Sequence, residues 1–337
     1  MRKLVFVLLC LVLVAHAGVK DVKLDVPTRL QWGRTDDVPG FCGETSFQMH
    51  GIFWGNWIST EYVYRGAGSL ELLIGDDTRN NDVLAAAKLK FLYEVYNLKT
   101  KGGHAAFASW VKTHIDMGHL VVFGGYELKE KGKDEYDHIM PIIGYRVDTA
   151  SPKKVIGFWV ASLFDRSHVL INKFTTRQGC TGEATEPSTW CSPSKLSFAM
   201  TLKGFADTRK ETFRTKLVMP SWYEPDWSEV DKLREKPKDF TIKAVVYGLT
   251  VGKKYSILRF SSLATLPTFN FIKGRFTKRV NFTATAATMT FHAFDKISSN
   301  STMMYRTVLN TDLLPTTRPP TTRPPTTRPP PVDEDEE

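Results

Sequence analysis

An α+β domain followed by a small all-β sandwich and a disordered tail is what this sequence predicts, on three observations. In the first two thirds helical patterns precede strand patterns, the segregated order of an α+β unit. Beyond them, short β-branched runs recur between turns at the spacing of a sandwich. The end carries TTRPP repeats and an acidic DEDEE terminus, a composition that stiffens toward polyproline II and cannot form a core. At 337 residues the length suits two domains plus an appendage. A hydrophobic content of 42% with 8 Trp excludes disorder as the overall state, and 4 Cys are too few for a disulfide-stapled miniprotein.

Taken in order, Arg2 and Lys3, the apolar run Leu4 to Val14 and Ala15-His16-Ala17 predict a secretory signal peptide over 1–17. The run is too short to cross a bilayer and no later segment is longer, so a secreted chain without a transmembrane segment is expected, extracellular or in a lysosome-like compartment of the secretory pathway. The first domain, 18–209, is read as a helix from Cys42 to about Gly55 and helical stretches at Asp82 to Tyr96 and His104 to Met117. Strands follow at Leu120 to Tyr126, His138 to Arg146 and Val155 to Leu163.

A segment rich in Pro, Trp and charge after Lys210 marks the junction, and 210–312 reads as the sandwich. Its strands are Phe240 to Tyr247, Lys254 to Phe260, Lys278 to Thr283, Thr288 to Phe294 and Met304 to Leu309. Leu249-x-x-Gly252-x-x-Tyr255 resembles the tyrosine corner of fibronectin type III-like sandwiches. Asn281 and Asn300 open N-glycosylation sequons, as suits exposed positions in a secreted glycoprotein. Residues 313–337 form the tail, a spacer or a mucin-like stalk.

Lys and Arg number 45 against 36 Asp and Glu, a net +9 that falls by two when Arg2 and Lys3 leave with the signal peptide. Such a surplus favours glycans or an anionic surface as partners, although spread over the body it also serves ordinary solubility. A secreted chain argues against nucleic acid.

Cysteine usage singles out one thiol. With Cys10 in the signal peptide, Cys42, Cys180 and Cys191 remain. Cys180 and Cys191 flank a Gly/Pro/Thr/Ser-rich loop, so a local disulfide is the economical pairing and Cys42 is left over. Pro39 and Gly40 place Cys42 at a helix start, where the partial positive charge of exposed N–H groups stabilises a thiolate and a developing oxyanion; burial as a structural Cys is the alternative. A thiolate nucleophile needs a base that returns the proton to the leaving group, and His138 opens an apolar strand. No metal site is read: His114 and His119 lack a third ligand at useful spacing, and no cofactor motif is present.

Cys42-Gly43-x-x-Ser46, followed by Asp137-His138-x-x-x-Ile142-x-Gly144-Tyr145, is similar to the papain-like cysteine peptidase superfamily, and within it to the bacteriocin leader (double-glycine) peptidase branch, over about residues 29–170. The resemblance implies Cys42 as nucleophile, His138 as base and Asp165, at the end of the next strand, as the group orienting the imidazole. Asp137 and Asn172 are its rivals. The position six before the Cys, where the family places its oxyanion-hole Gln, holds Asp36, so Gln31 is the oxyanion-hole candidate. The expected activity is hydrolysis of peptide or isopeptide bonds in a peptide or protein substrate. The alternative is a catalytically inactive extracellular binding or adhesion protein on the same fold.

Overall fold

The computed structural model describes residues 18–31, 41–66, 72, 81–96, 103–128, 136–163, 167–172, 174–177, 189–193, 199–220, 239–299 and 301–310, with 126–128, 136–137, 174–177 and 189–193 described by backbone alone. The signal peptide, Asp36, Asp165, Cys180, Asn300 and the tail lie outside the described residues, as does the side chain of Cys191.

The fold is mixed α+β with several antiparallel sheets, as the sequence predicts. The first part runs β1 (Val19–Lys23), α1 (Cys42–Phe53), β2 (Asn56–Ile58), α2 (Thr60–Gly66), α3 (Asn81–Lys88), β3 (Phe91–Val95) and α4 (His104–Asp116). It continues with β4 (Leu120–Leu128), β5 (Tyr136–Asp148), β6 (Ser151–Ala161), β7 (His168–Ile171), β8 (Phe174–Arg177), β9 (Thr189–Pro193) and β10 (Ala199–Phe205). Its main sheet is ordered β3-β10-β4-β5-β6-β7. The long β5 shares one edge between two partners: β4 pairs with Tyr136 to Ile142 and β1 with Gly144 to Asp148.

Two expectations are corrected here. The helical stretch expected over Asp82 to Tyr96 is the helix α3 followed by the strand β3, separated by Lys90 in the left-handed region at φ 59°. Aromatic and β-branched residues in Phe91–Val95 pair with β10, and that long-range ladder outweighs local helical continuation. Around Cys191, read as loop, Thr189–Pro193 is a strand paired with β4 and, in parallel, with β8.

Both faces of the main sheet are covered. On one, Phe107, Val111 and Ile115 of α4 pack on Val121, Phe123, Met140, Ile142 and Phe158. On the other lies α1, with Phe47 against Val122 and Ile139, and Met49 and Phe53 against Leu120, Ile143 and Ala161.

The second part contains β11 (Thr212–Phe213), β12 (Thr215–Val218), β13 (Asp239–Tyr247), β14 (Lys254–Phe260), β15 (Lys278–Thr283), β16 (Thr288–Ser298) and β17 (Thr302–Leu309). Sheets β11-β17-β14-β15 and β12-β13-β16 meet over Ile242, Ala244, Val246, Tyr255, Ile257 and Tyr305. At the β13–β14 turn the Thr250 N–H donates to the Tyr255 hydroxyl at 2.9 Å, and Gly252 sits at φ 81°.

The first of these sheets is buried on both sides. Ile257 and Tyr305 face the sandwich, while their neighbours Leu258 and Met304, with Phe260 and Val308, face Phe47, Val63, Leu89 and Phe91 of the first part. β2 lengthens that sheet by pairing with β17. Thus α1 lies between two sheet layers, and every residue from Gly43 to Phe53 is buried. A helix enclosed on all sides has no polar face to show water, which is why the segment lacks a clean amphipathic stripe.

Candidate active site

Enclosure of α1 leaves its polar side chains no solvent, so each must bond internally. Ser46 Oγ donates to the Cys42 carbonyl at 2.8 Å and lies 3.3 Å from the Ile139 carbonyl. Gln48 Nε2 donates to the Ile58 carbonyl, and its Oε1 accepts from Arg29 Nε, each at 2.9 Å. Glu44 accepts the Leu72 N–H at 3.1 Å. His50 Nδ1 donates to the Ser46 carbonyl at 2.7 Å, which makes Nε2 the acceptor nitrogen, and Nε2 meets no donor. Burial therefore holds the His50 imidazole neutral, its pKa pushed down to about 4.

Cys42 opens α1 as a partly exposed thiol packed against the Phe47 and Phe53 clusters. The N-cap residue Phe41 contributes no side-chain cap, and the first helical hydrogen bond runs from the Thr45 N–H to the Phe41 carbonyl at 2.9 Å. Gly43 explains why the helix can begin where it does. A Cβ there would stand 2.5 Å from Leu72 Cβ and 3.2 Å from Ile139 Cδ1, so only a bare Cα lets the first turn lie on the opening of β5.

His138 is the residue before Ile139, is 3% exposed, and lies opposite Gly125 of β4. Cys42 and His138 each stand one residue from the close approach of Gly43 to Ile139. Side chains alternate along β5: Ile139 faces α1, whereas Met140 and Ile142 face α4. His138 has the parity of Met140.

Gln31 is brought to the same end of the sheet. Its N–H donates to the Leu163 carbonyl at 2.9 Å, and Leu163 packs in the cluster that includes Met49, Phe53 and the edge of Cys42. The Gln31 side chain is 3% exposed with Oε1 meeting no hydrogen-bond donor. Leu163 is the last described residue before the segment containing Asp165.

Of the rivals for the orienting role, Asn172 is excluded by register. It is exposed and follows Ile171, which pairs with Phe158 and through it with Tyr145. That is seven residues along β5 from His138, roughly 23 Å at about 3.3 Å per residue. For Asp137 only the backbone is described.

Sequence reasoning quoted Ser46 in its motif without reading that it ties α1 to β5, and missed Arg29, fully buried with its guanidinium 5.2 Å from the Trp57 ring centre. No local pattern marks these contacts: both depend on elements distant in the chain. In comparison with known proteins, no family model matches this chain, and no curated protein and no solved structure matches it.

Proposed function

We propose that this protein is a secreted thiol hydrolase acting on peptide or isopeptide bonds, with Cys42 as nucleophile, His138 as base and Asp165 as the residue that orients the imidazole. The observation that supports the reading is the close approach of Gly43 to Ile139, which brings the first turn of the helix that opens at Cys42 onto β5 one residue from His138. The Cys42 sulfur attacks the carbonyl carbon, forming the S–C bond; His138, having taken the thiol proton, gives it to the leaving amine as the C–N bond breaks. Water, deprotonated by His138, then releases the acid from the thioester. Gln31 and the Cys42 N–H are the candidate donors to the oxyanion.

The second reading, an inactive extracellular binding protein on the same scaffold, draws on Asp36 at the family's Gln position and on the Met140-like parity of His138. Alkylation with an iodoacetamide-type probe separates the two. Modification of Cys42 well below about pH 8, abolished in His138→Ala, is the result expected of the hydrolase. A profile that follows an ordinary thiol and is unchanged in His138→Ala would leave the binding protein as the reading to keep.

A further inference from the structure

At the C-terminal end of α1, a twelve-residue helix and hence about 18 Å from Cys42, a cavity of about 310 Å³ opens between the two parts of the chain. Trp54 and Phe205 supply apolar wall. Lys203, Lys210, Arg214 and Arg306 also line it, against a single carboxylate, Asp207.

That carboxylate is committed elsewhere. Its Oδ1 accepts the Glu211 N–H at 3.0 Å, and its Oδ2 accepts the Thr212 N–H at 2.8 Å and the Thr212 hydroxyl at 2.7 Å, which fixes the 207–212 turn. Lys203 is paired with Glu94 at 2.8 Å. Among the described residues, Lys210, Arg214 and Arg306 form no ion pair, the Asp207 charge acting on Arg306 from beyond ion-pair distance.

Arg306 is 4% exposed. Its Nη1 donates to Asn56 Oδ1 and to the Tyr305 carbonyl, each at 2.8 Å, while Nη2 is buried and meets no acceptor. Arg214 Nε is likewise buried without an acceptor, its guanidinium 4.4 Å from the ring centres of both Phe53 and Tyr247. A guanidinium withdrawn from water with unmet N–H groups is costly, and an anion is the partner that offsets the cost. Burial pushes the pKa of Arg306 down to about 9, the same under-compensation seen electrostatically.

From this geometry we infer that the cavity binds a small organic anion, a carboxylate or phosphate head on an apolar or aromatic body, with Arg306 and Arg214 holding the head and Lys210 at the rim. The volume is at the lower end of ligand pockets, about 300–1,000 Å³, which fits a single-ring ligand rather than a peptide. The flat, planar donors of two arginines suit oxyanions with two or more oxygens. This site is independent of the Cys42 chemistry.

The test is calorimetric titration and thermal shift of the full chain with phenyl phosphate, benzoate and inorganic phosphate, with sodium chloride at matched ionic strength and benzyl alcohol as controls. Saturable binding of an aryl anion in the sub-millimolar range is expected, with no saturable effect of either control. The tighter of phenyl phosphate and benzoate assigns the head group, and either outcome supports the site. Arg214→Gln and Lys210→Asn should each weaken binding at least tenfold while retaining the native circular dichroism. Asn is chosen because Lys210 sits at φ 53°, and both variants stand if Arg306→Gln fails to fold. Absence of saturable binding by every anion, or affinity in both variants equal to that of the unsubstituted chain, overturns the inference.

Discussion

His50 shows what one residue in the middle of an enclosed helix does to the whole protein. Complete burial outweighs the Ser46 and Leu120 backbone groups that favour the charged ring, so the folded state keeps it neutral down to about pH 4, whereas in the unfolded chain it titrates near 6.5. A folded pKa below the unfolded one means that the unfolded state binds the extra proton first as pH falls. Stability is therefore complete above about pH 6.5 and is lost progressively between there and pH 4, by roughly 3 kcal/mol for this one group at about 1.4 kcal/mol per unit. His119, also pushed down to about 4 by burial and by its neighbour His114, adds to the same slope. Urea unfolding at a series of pH values should show this loss, and His50→Gln should remove about one proton's worth of it; an unchanged slope in that variant would mean that His50 is not the titrating group. These two groups therefore make the fold more stable at neutral pH than near pH 4.

At the scale of elements, glycines decide which pieces of backbone can touch. Gly43 admits Leu72 and Ile139 to the first turn of α1, and Gly144 does the same for a strand: a Cβ there would lie 2.2 Å from the Val22 carbonyl oxygen and 2.9 Å from Lys23 Cα. The Ile-x-Gly-Tyr end of the sequence motif thus has a structural cause in this chain, the docking of β1 on the second half of β5. Gly144→Ala is expected to cost about 1–3 kcal/mol, the range for an overpacked site, and to act locally. Hydrogen exchange should quicken at Lys23 and Leu24, whose N–H donates to the Ile143 carbonyl at 2.8 Å, while Leu120 to Phe123 stay protected. Uniform acceleration across both strands would instead indicate global destabilisation. Gly55, at φ 79° just after α1, lets Tyr305 donate its N–H to the Gly55 carbonyl at 2.8 Å, so the helix ends by pairing into the second part.

For the molecule as a whole, the important fact is that the sheet containing β14 and β17 serves two cores. Leu258, Phe260, Met304 and Val308 are at most 4% exposed because the first part covers them, and burying each contributes roughly 1.5–3 kcal/mol. Trp57 crosses in the other direction, fully buried against Phe240 with its indole N–H on the Ser299 carbonyl at 3.0 Å. Neither part can open without exposing the other's apolar face. Scanning calorimetry of the full chain should accordingly give one transition with calorimetric and van't Hoff enthalpies in agreement; two resolved transitions would show that the shared layer contributes little.

The identity and order of the principal elements were legible without coordinates. α1, α4, β4 to β6 and β13 to β17 follow from local periodicity, from glycine and proline punctuation and from β-branched runs, all of which act within a few residues. That Cys42 opens a helix and that His138 lies near the start of a strand was likewise readable, because both positions are set by local breaks in pattern. What the chain could not announce is which surfaces meet: β3 in place of a continued helix, β2 completing a distant sheet, and two arginines converging on one cavity. Those outcomes depend on partners up to 250 residues away, as in the Arg306 bond to Asn56. A hydrophobic pattern records that a side chain is buried, and only the packed layers determine against what.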